Sequence, residues 1–186
     1  MKSNLQIISG KYRGKKLFLP DGARPTQNLA RGALFNMILD LPLDTTKPFV
    51  VWDAFAGSGA FGLECISRYD NAKVVFTDIV SDAVRKNLDS IKATAKLEKV
   101  DALSVIKTYG PDSDLIFLDP PYSMFGIGLV FIKKLGKIAK SGTIIIWEYE
   151  STQPKPKIDD NWVVLKEKTY GRASFMILQK KQTENT

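Results

Sequence analysis

The stretch "FVVWDAFAGSGAFGLECISRY", residues 49–69, constrains the fold more than any other part of the chain. A short run rich in β-formers enters Gly57, Gly59 and Gly62, spaced G-x-G-x-x-G, and leaves as an apolar helical pattern. Glycines at such a turn let the backbone bend sharply and approach a ligand or a strand closely. The same texture repeats downstream. "AKVVFTD" and "SDAVRKNLDSIKATA", "KLEKVDA" and "LSVIKTYG", "SDLIFLD" and "IGLVFIKKLGKIAK", and finally "GTIIIWEYE" alternate strand with helix. Such alternation predicts a parallel sheet with helices on both faces, an α/β fold. "NWVVLKEKTYG" and "RASFMILQKK" follow with no helix between them, which predicts a terminal antiparallel hairpin and brings the sheet to seven strands, mostly parallel. Upstream, "LQIISGKYRGKKLFLP" predicts a small N-terminal β-hairpin. Leu29, Ala33, Leu34, Met37, Ile38 and Leu41 then recur at helical spacing. The expected division is an arm over 1–47, a main domain over 48–181 and a polar tail over 182–186.

Composition narrows the chemistry. The chain has one cysteine, Cys65, and no histidine. Internal disulfides, Cys/His zinc sites and histidine acid–base catalysis are therefore excluded, and no metal is expected. No apolar run reaches the length of a membrane span, and "MKSNLQIISGKYRGKK" lacks the apolar core of a secretory signal, so a cytoplasmic protein is expected. The net charge of +7 is uneven: residues 1–36 hold seven Lys/Arg against one acid. A basic arm suits a polyanion such as nucleic acid, and equally a solvated hairpin kept soluble by lysines.

The fourth strand ends in "DPPY", Asp119 to Tyr122. Proline cannot donate to a sheet ladder and holds the chain's exit in one direction. In a parallel α/β sheet this tetrapeptide emerges at the carboxyl edge, beside the glycine turn. An exocyclic amine on a purine is a poor nucleophile because its lone pair is delocalised into the ring. Acceptors placed around the amine localise that pair. Asp119 supplies one acceptor and the Pro120 carbonyl another, while Tyr122 offers a face for the base to stack on. None of this requires histidine.

Both stretches have relatives in known sequence patterns. "DAFAGSG" resembles motif I of Rossmann-like S-adenosylmethionine methyltransferases, and "DPPY" matches the [DNS]-PP-[YFW] signature of amino-group methyltransferases. The first resemblance implies cofactor contacts from Asp53, Phe55, Ala56, Gly57, Ser58 and Gly59. Asp78, ending the second strand, is placed for the ribose hydroxyls, and Asp101 with Ala102, after the third, for the adenine. The signature assigns the catalytic site to Asp119, Pro120, Pro121 and Tyr122.

The order "IISGKYRGKKLFLP", "RPTQNLARGALFN", "DAFAGSGAFGLE", "LDPPY" and "YGRASFMIL" is similar to the RsmD family of small-subunit ribosomal RNA guanine-N2 methyltransferases, over nearly all of residues 6–180. The resemblance implies methylation of one guanine of 16S rRNA during 30S assembly, with S-adenosylmethionine bound by the 48–181 domain. It turns the basic arm toward RNA, with Arg13, Lys15, Lys16, Arg24 and Arg31 as contacts and Thr26 closing over the cofactor. A monomer is expected. The chain departs from the family pattern at Gly32, at Gln27-Asn28 and in the single acid of "VFTD". Two alternatives remain open: an adenine-N6 methyltransferase acting on DNA or RNA, and a non-catalytic RNA-binding assembly factor that keeps the fold.

Overall fold

The structure is a computed structural model that describes residues 5–20 and 28–182. Seven strands form one sheet: β1 (Phe49–Asp53), β2 (Ala72–Thr77), β3 (Lys96–Glu98), β4 (Leu115–Leu118), β5 (Ile144–Glu150), β6 (Trp162–Tyr170) and β7 (Ala173–Lys180). Their spatial order is β3-β2-β1-β4-β5-β7-β6. The first five run parallel, and β7 pairs antiparallel with both β5 and β6. The chain starts in the middle of the sheet, builds outward to β3, then returns to the other side of β1 at β4. That reversal opens a crevice at the carboxyl ends of β1 and β4, where open α/β sheets bind ligands.

Five helices cover the sheet: α1 (Asn28–Ile38), α2 (Ala60–Arg68), α3 (Asp82–Ile91), α4 (Ile106–Tyr109) and α5 (Phe125–Leu135). Strand alternation sorts the side chains between two cores. Val51, Leu115, Phe117, Ile144 and Ile146 pack with α1, α2 and α3 on one face. Trp52, Ile116, Leu118, Ile145 and Trp147 pack with α4 and α5 on the other. Cys65, expected from sequence as a core residue of the helix after the glycine turn, is buried in the first core.

Two expectations shift in detail. The N-terminal hairpin is held by a single β-bridge, Gln6 to Lys16, and by backbone hydrogen bonds such as Ile7 N to Lys15 O at 2.9 Å. Its donors turn instead to α2: Ile8 N and Ser9 N donate to Glu64, and Tyr12 N donates to Ser67 Oγ at 3.0 Å. Two full strands do not form because α2 side chains take the place of a second ladder. The helix after "DPPY" starts at Phe125, directly behind a 3-10 turn at Tyr122–Met124, and stops at Leu135 with Gly136 as its cap. Gly128 within it is required by packing, since a Cβ there would lie 2.5 Å from the Trp147 ring.

Leu5, Ile7, Leu17, Leu34, Phe35 and Ile38 of the arm join the first core. The arm runs along α2, a helix about 13 Å long at 1.5 Å per residue. Its tip, Gly10 to Tyr12, meets the Ser67 end of α2. Its base, Phe18, meets Asn87, which also bonds Ser58 in the glycine turn.

Candidate active site

The glycine turn is held by carboxylates from two strands. Asp53 ends β1, is 1% exposed, and its Oδ2 accepts from Gly62 N at 3.0 Å. Asp78 follows β2; its Oδ2 accepts from Gly57 N at 2.7 Å and its Oδ1 from Val80 N at 2.8 Å. The three glycines serve different ends. A Cβ on Gly62 would meet Phe76 at 2.3 Å, so Gly62 lets α2 close on the sheet, while Gly59, at φ 75°, would bring a Cβ to 3.2 Å from Val84 of α3. Gly57 has φ 54° and no atom within 4 Å of the Cβ position, so only there does the missing side chain leave open space.

That space is part of a cavity of about 1110 Å³. One wall is the glycine turn with Asp53, Phe55, Ala56, Ser58 and Asp78. Asp101 and Ala102 close the far end beside Ile79, Val80 and Leu103. Ala102 is buried, while Asp101 is exposed and its Oδ1 accepts from Leu103 N at 3.1 Å. Asp119, Pro120, Pro121 and Tyr122 line the cavity from the end of β4, the strand next to β1. Gly59 is buried behind the turn and does not line the cavity.

Electrostatics in the cavity are dominated by buried acids. Burial, only partly offset by the Gly62 N–H, raises the Asp53 carboxyl to about 8. Burial also pushes the Asp119 carboxyl well above the usual range, with the charges of Glu148 and then Asp53 adding to the shift. The Tyr122 hydroxyl is raised by burial and by Glu148, to whose Oε1 it donates at 3.2 Å. Asp119 and Tyr122 remain partly open to the cavity.

The arm contributes differently from its sequence pattern. Arg31 is not a surface contact: it is 2% exposed, and the face of α1 that carries it packs inward beside Ala30, Leu34 and Phe35. Its Nη2 donates to the Gln6 carbonyl and to Asn28 Oδ1, and its Nε lies 3.9 Å from Glu64 Oε2. Helical spacing alone could not tell this inward arginine from an outward one. Arg13, Lys15 and Lys16 are exposed, with Lys15 Nζ donating to Ser90 O at 3.2 Å. The tip that carries Arg13 stands at the end of α2 away from the glycine turn. Arg24 and Thr26 lie outside the described residues.

Three polar residues at the cavity had no assigned part in the sequence reading. Glu148, on β5, is 2% exposed and lines the cavity beside Asp119. Tyr170 and Arg172 reach its rim from the β6–β7 turn, with Arg172 paired to Glu150. A signal for Glu148 exists in "IIIWEYE", an acid inside a run of buried strand residues. Among the described residues, no cluster of three or more Cys, Asp or Glu is arranged to hold a metal, and no helix is long and apolar enough to cross a membrane.

Comparison with known proteins agrees with this geometry. Residues 5–179 match the family model described as Conserved hypothetical protein 95. Ribosomal RNA small subunit methyltransferase D of Escherichia coli K12 is 33% identical over 183 residues, covering 95% of this chain and 90% of that protein. The protein of the same name from Haemophilus influenzae is also 33% identical, with 96% and 95% covered. The solved structure of Escherichia coli yhhF superposes with a TM-score of 0.78 at 32% identity, covering 96% of this chain and 98% of that one. The rRNA methyltransferase aviRa of Streptomyces viridochromogenes shares the fold at a TM-score of 0.62. A match that runs from the arm through the glycine turn and the "DPPY" edge to the final strand places the chain in the ribosomal RNA small subunit methyltransferase D family.

Proposed function

We propose that the protein transfers a methyl group from S-adenosylmethionine to the exocyclic N2 amine of a guanine in 16S rRNA during small-subunit assembly. The observation that carries this reading is that the glycine turn with its buried acid and "DPPY" line one and the same cavity.

The cavity suits the cofactor. Gly57 leaves room for close approach to the backbone, Asp53 offers a buried carboxyl to an ammonium group, and Ile79, Val80 and Leu103 offer apolar surface to a flat ring. Asp78 would take the ribose hydroxyls with lone pairs beyond those facing Gly57 and Val80. Asp101 and Ala102 would border the adenine. When bound, the cofactor would supply an electrophilic sulfonium methyl whose bonding pair returns to sulfur, and the proton shed by the amine as its lone pair bonds the carbon would pass through the acceptors at Asp119 to solvent. Asp119 and the Pro120 carbonyl accept from the amine, which localises its lone pair and aims it. Pro121 fixes the turn and Tyr122 stacks on the base. Placement and fixed dipoles supply the rate enhancement.

The deciding experiment offers labelled S-adenosylmethionine with 16S rRNA, 30S particles and DNA, then identifies the labelled nucleoside. N2-methylguanosine is expected. N6-methyladenosine as sole product would replace this reading with an adenine enzyme, and cofactor binding without transfer to any substrate would replace it with an assembly factor.

Asp53 makes cofactor binding sensitive to pH. With its carboxyl raised to about 8, Asp53 is mostly protonated at pH 7 in the free protein. A bound ammonium favours the carboxylate, so binding at pH 7 should release up to one proton, and above pH 8 the release should fade. Calorimetry in buffers of different ionisation enthalpy reads this directly. Without ligand the sign is the reverse of a paired carboxylate. The folded protein holds the Asp53 proton more tightly, so this group's contribution to stability is present below about pH 4 and lost by about pH 8.

The arm's exposed cations would meet phosphates. Each of Arg13→Ala and Lys16→Ala should weaken RNA binding at low salt and lower the slope of log K against log[salt] by about 0.7 to 1. A slope unchanged in both variants would take the arm tip off the RNA.

A further inference from the structure

A second buried carboxylate stands beside Asp119, and the transfer described above does not use it. The parallel pairing of β4 with β5 runs from Leu115↔Ile144 to Leu118↔Trp147. One further step sets Asp119 beside Glu148, about 4.8 Å away across neighbouring strand ends. Leu118 and Trp147 point into the second core, so alternation turns Asp119 and Glu148 to the other face. Asp53 lies on that same face, since it follows Val51 of the first core by two residues. Glu148 is 2% exposed, lines the cavity, and its Oε1 accepts the Tyr122 hydroxyl at 3.2 Å. A buried carboxylate placed against a second one costs stability, offset in part by the charge of the buried Arg31, which Glu148 also feels.

We propose that Glu148 selects guanine, accepting a hydrogen bond from the ring N1–H while Asp119 and the Pro120 carbonyl accept from the neighbouring N2 amine. This inference rests on the N2-methyltransferase reading of the site. Guanine presents N1–H and the N2 amine side by side, all donors; the Glu148 carboxylate answers N1–H with a charge-assisted bond, and the Asp119 carboxyl, held up by burial and by Glu148, accepts from the amine through its carbonyl oxygen. Adenine presents an amine beside a bare N1 lone pair. With its amine at Asp119, that lone pair would face the Glu148 carboxylate, and two acceptors would be desolvated without a proton between them. A carboxylate has about four acceptor positions, so the Tyr122 hydroxyl and the base edge can share it. The Tyr122 hydroxyl then orients the Glu148 carboxylate, while the ring of the same residue stacks on the base.

The test uses 2-aminopurine, which keeps the amine at C2 but has no proton on N1. The full-length protein is given 16S rRNA, assembled by ligation, with guanosine, 2-aminopurine or adenosine at the position that the wild-type protein methylates. Wild type should prefer guanosine over 2-aminopurine by about 10- to 100-fold in kcat/KM, the discrimination carried by a good base contact. Glu148→Gln should bring that ratio close to one, because its amide can donate to the bare N1. Tyr122→Phe should keep the ratio, since the carboxylate remains. Calorimetry should show unchanged S-adenosylmethionine affinity in both variants. Equal loss on guanosine and 2-aminopurine in Glu148→Gln would make the residue merely structural and overturn the inference alone. Were Glu148→Gln unable to bind S-adenosylmethionine, the wild-type ratio decides: a value near one overturns the inference. Transfer by wild type to adenosine only would overturn the N2 reading and the inference together.

Discussion

Replacing Asp119 by alanine should lower methyl transfer by about 10²- to 10³-fold, the loss that follows removal of one preorganised polar group at a reacting centre. S-Adenosylmethionine affinity should be unchanged, because Asp119 belongs to the end of β4 and not to the glycine turn after β1. Single-turnover kinetics beside calorimetry separates the two quantities, and a variant that loses cofactor affinity instead would show that the two segments do not divide the work. Asp119→Asn should lose less, since its carbonyl still accepts from the amine. Stability gives an independent readout. Burial and the neighbouring Glu148 hold the Asp119 carboxyl well above its ordinary range, so ionising it costs the fold free energy as pH rises. Removing it should leave the protein at least as stable, and more so at alkaline pH. A destabilised Asp119→Ala would point to a structural acid.

The largest stability loss is expected at Glu64, far from the reacting atoms. Glu64 is wholly buried on α2 and joins three segments. It accepts from Ile8 N at 2.7 Å, Ser9 N at 2.9 Å and Arg68 Nε at 2.7 Å, and faces Arg31 Nε at 3.9 Å. Glu64→Ala would leave two backbone donors and Arg68 Nε without their acceptor, and the buried Arg31 guanidinium without the carboxylate it faces. The expected cost is about 3–5 kcal/mol, the range for removing one partner of a buried ion pair. Against total stabilities of about 5–15 kcal/mol that is a large fraction. Chemical denaturation measures it. Glu64→Gln keeps the shape and one good acceptor, so it should cost less, about 1–3 kcal/mol. Because the lost bonds anchor the arm, Glu64→Gln should also weaken RNA binding more than cofactor binding. Equal stability of Glu64→Ala and wild type would mean that the arm is held by its apolar contacts alone.

Glu64 also marks where sequence and structure part. Nothing in "FGLECISR" distinguishes a helix glutamate that organises an arm more than fifty residues earlier in the chain from one that faces water. Arg31 is the same case from the other side. Its position in a basic arm suggested a phosphate contact, and only the packing of α1 against the sheet turns it inward. Glu148 became visible through register. "IIIWEYE" reads as a buried strand with an acid, but that the acid stands near Asp119 depends on the register of β5 against β4, whose last pair is Leu118↔Trp147.

By itself, the sequence determined the elements that local chemistry dictates. β-Branched runs specified the strands, apolar spacing the helices, glycines the turn after β1, and two prolines the rigid exit from β4. The parallel order of five strands followed from their alternation with helices, because a parallel crossover needs a helix-length connection. The positions of the glycine turn and of "DPPY" followed in turn, since both emerge at the carboxyl edge of one sheet. The tertiary structure alone decided which polar side chains meet across that edge. Arg31 against Glu64, Tyr122 against Glu148 and Glu148 beside Asp119 are contacts between distant segments. They depend on register, helix rotation and burial, which a sequence pattern with a period of two or 3.6 residues does not encode.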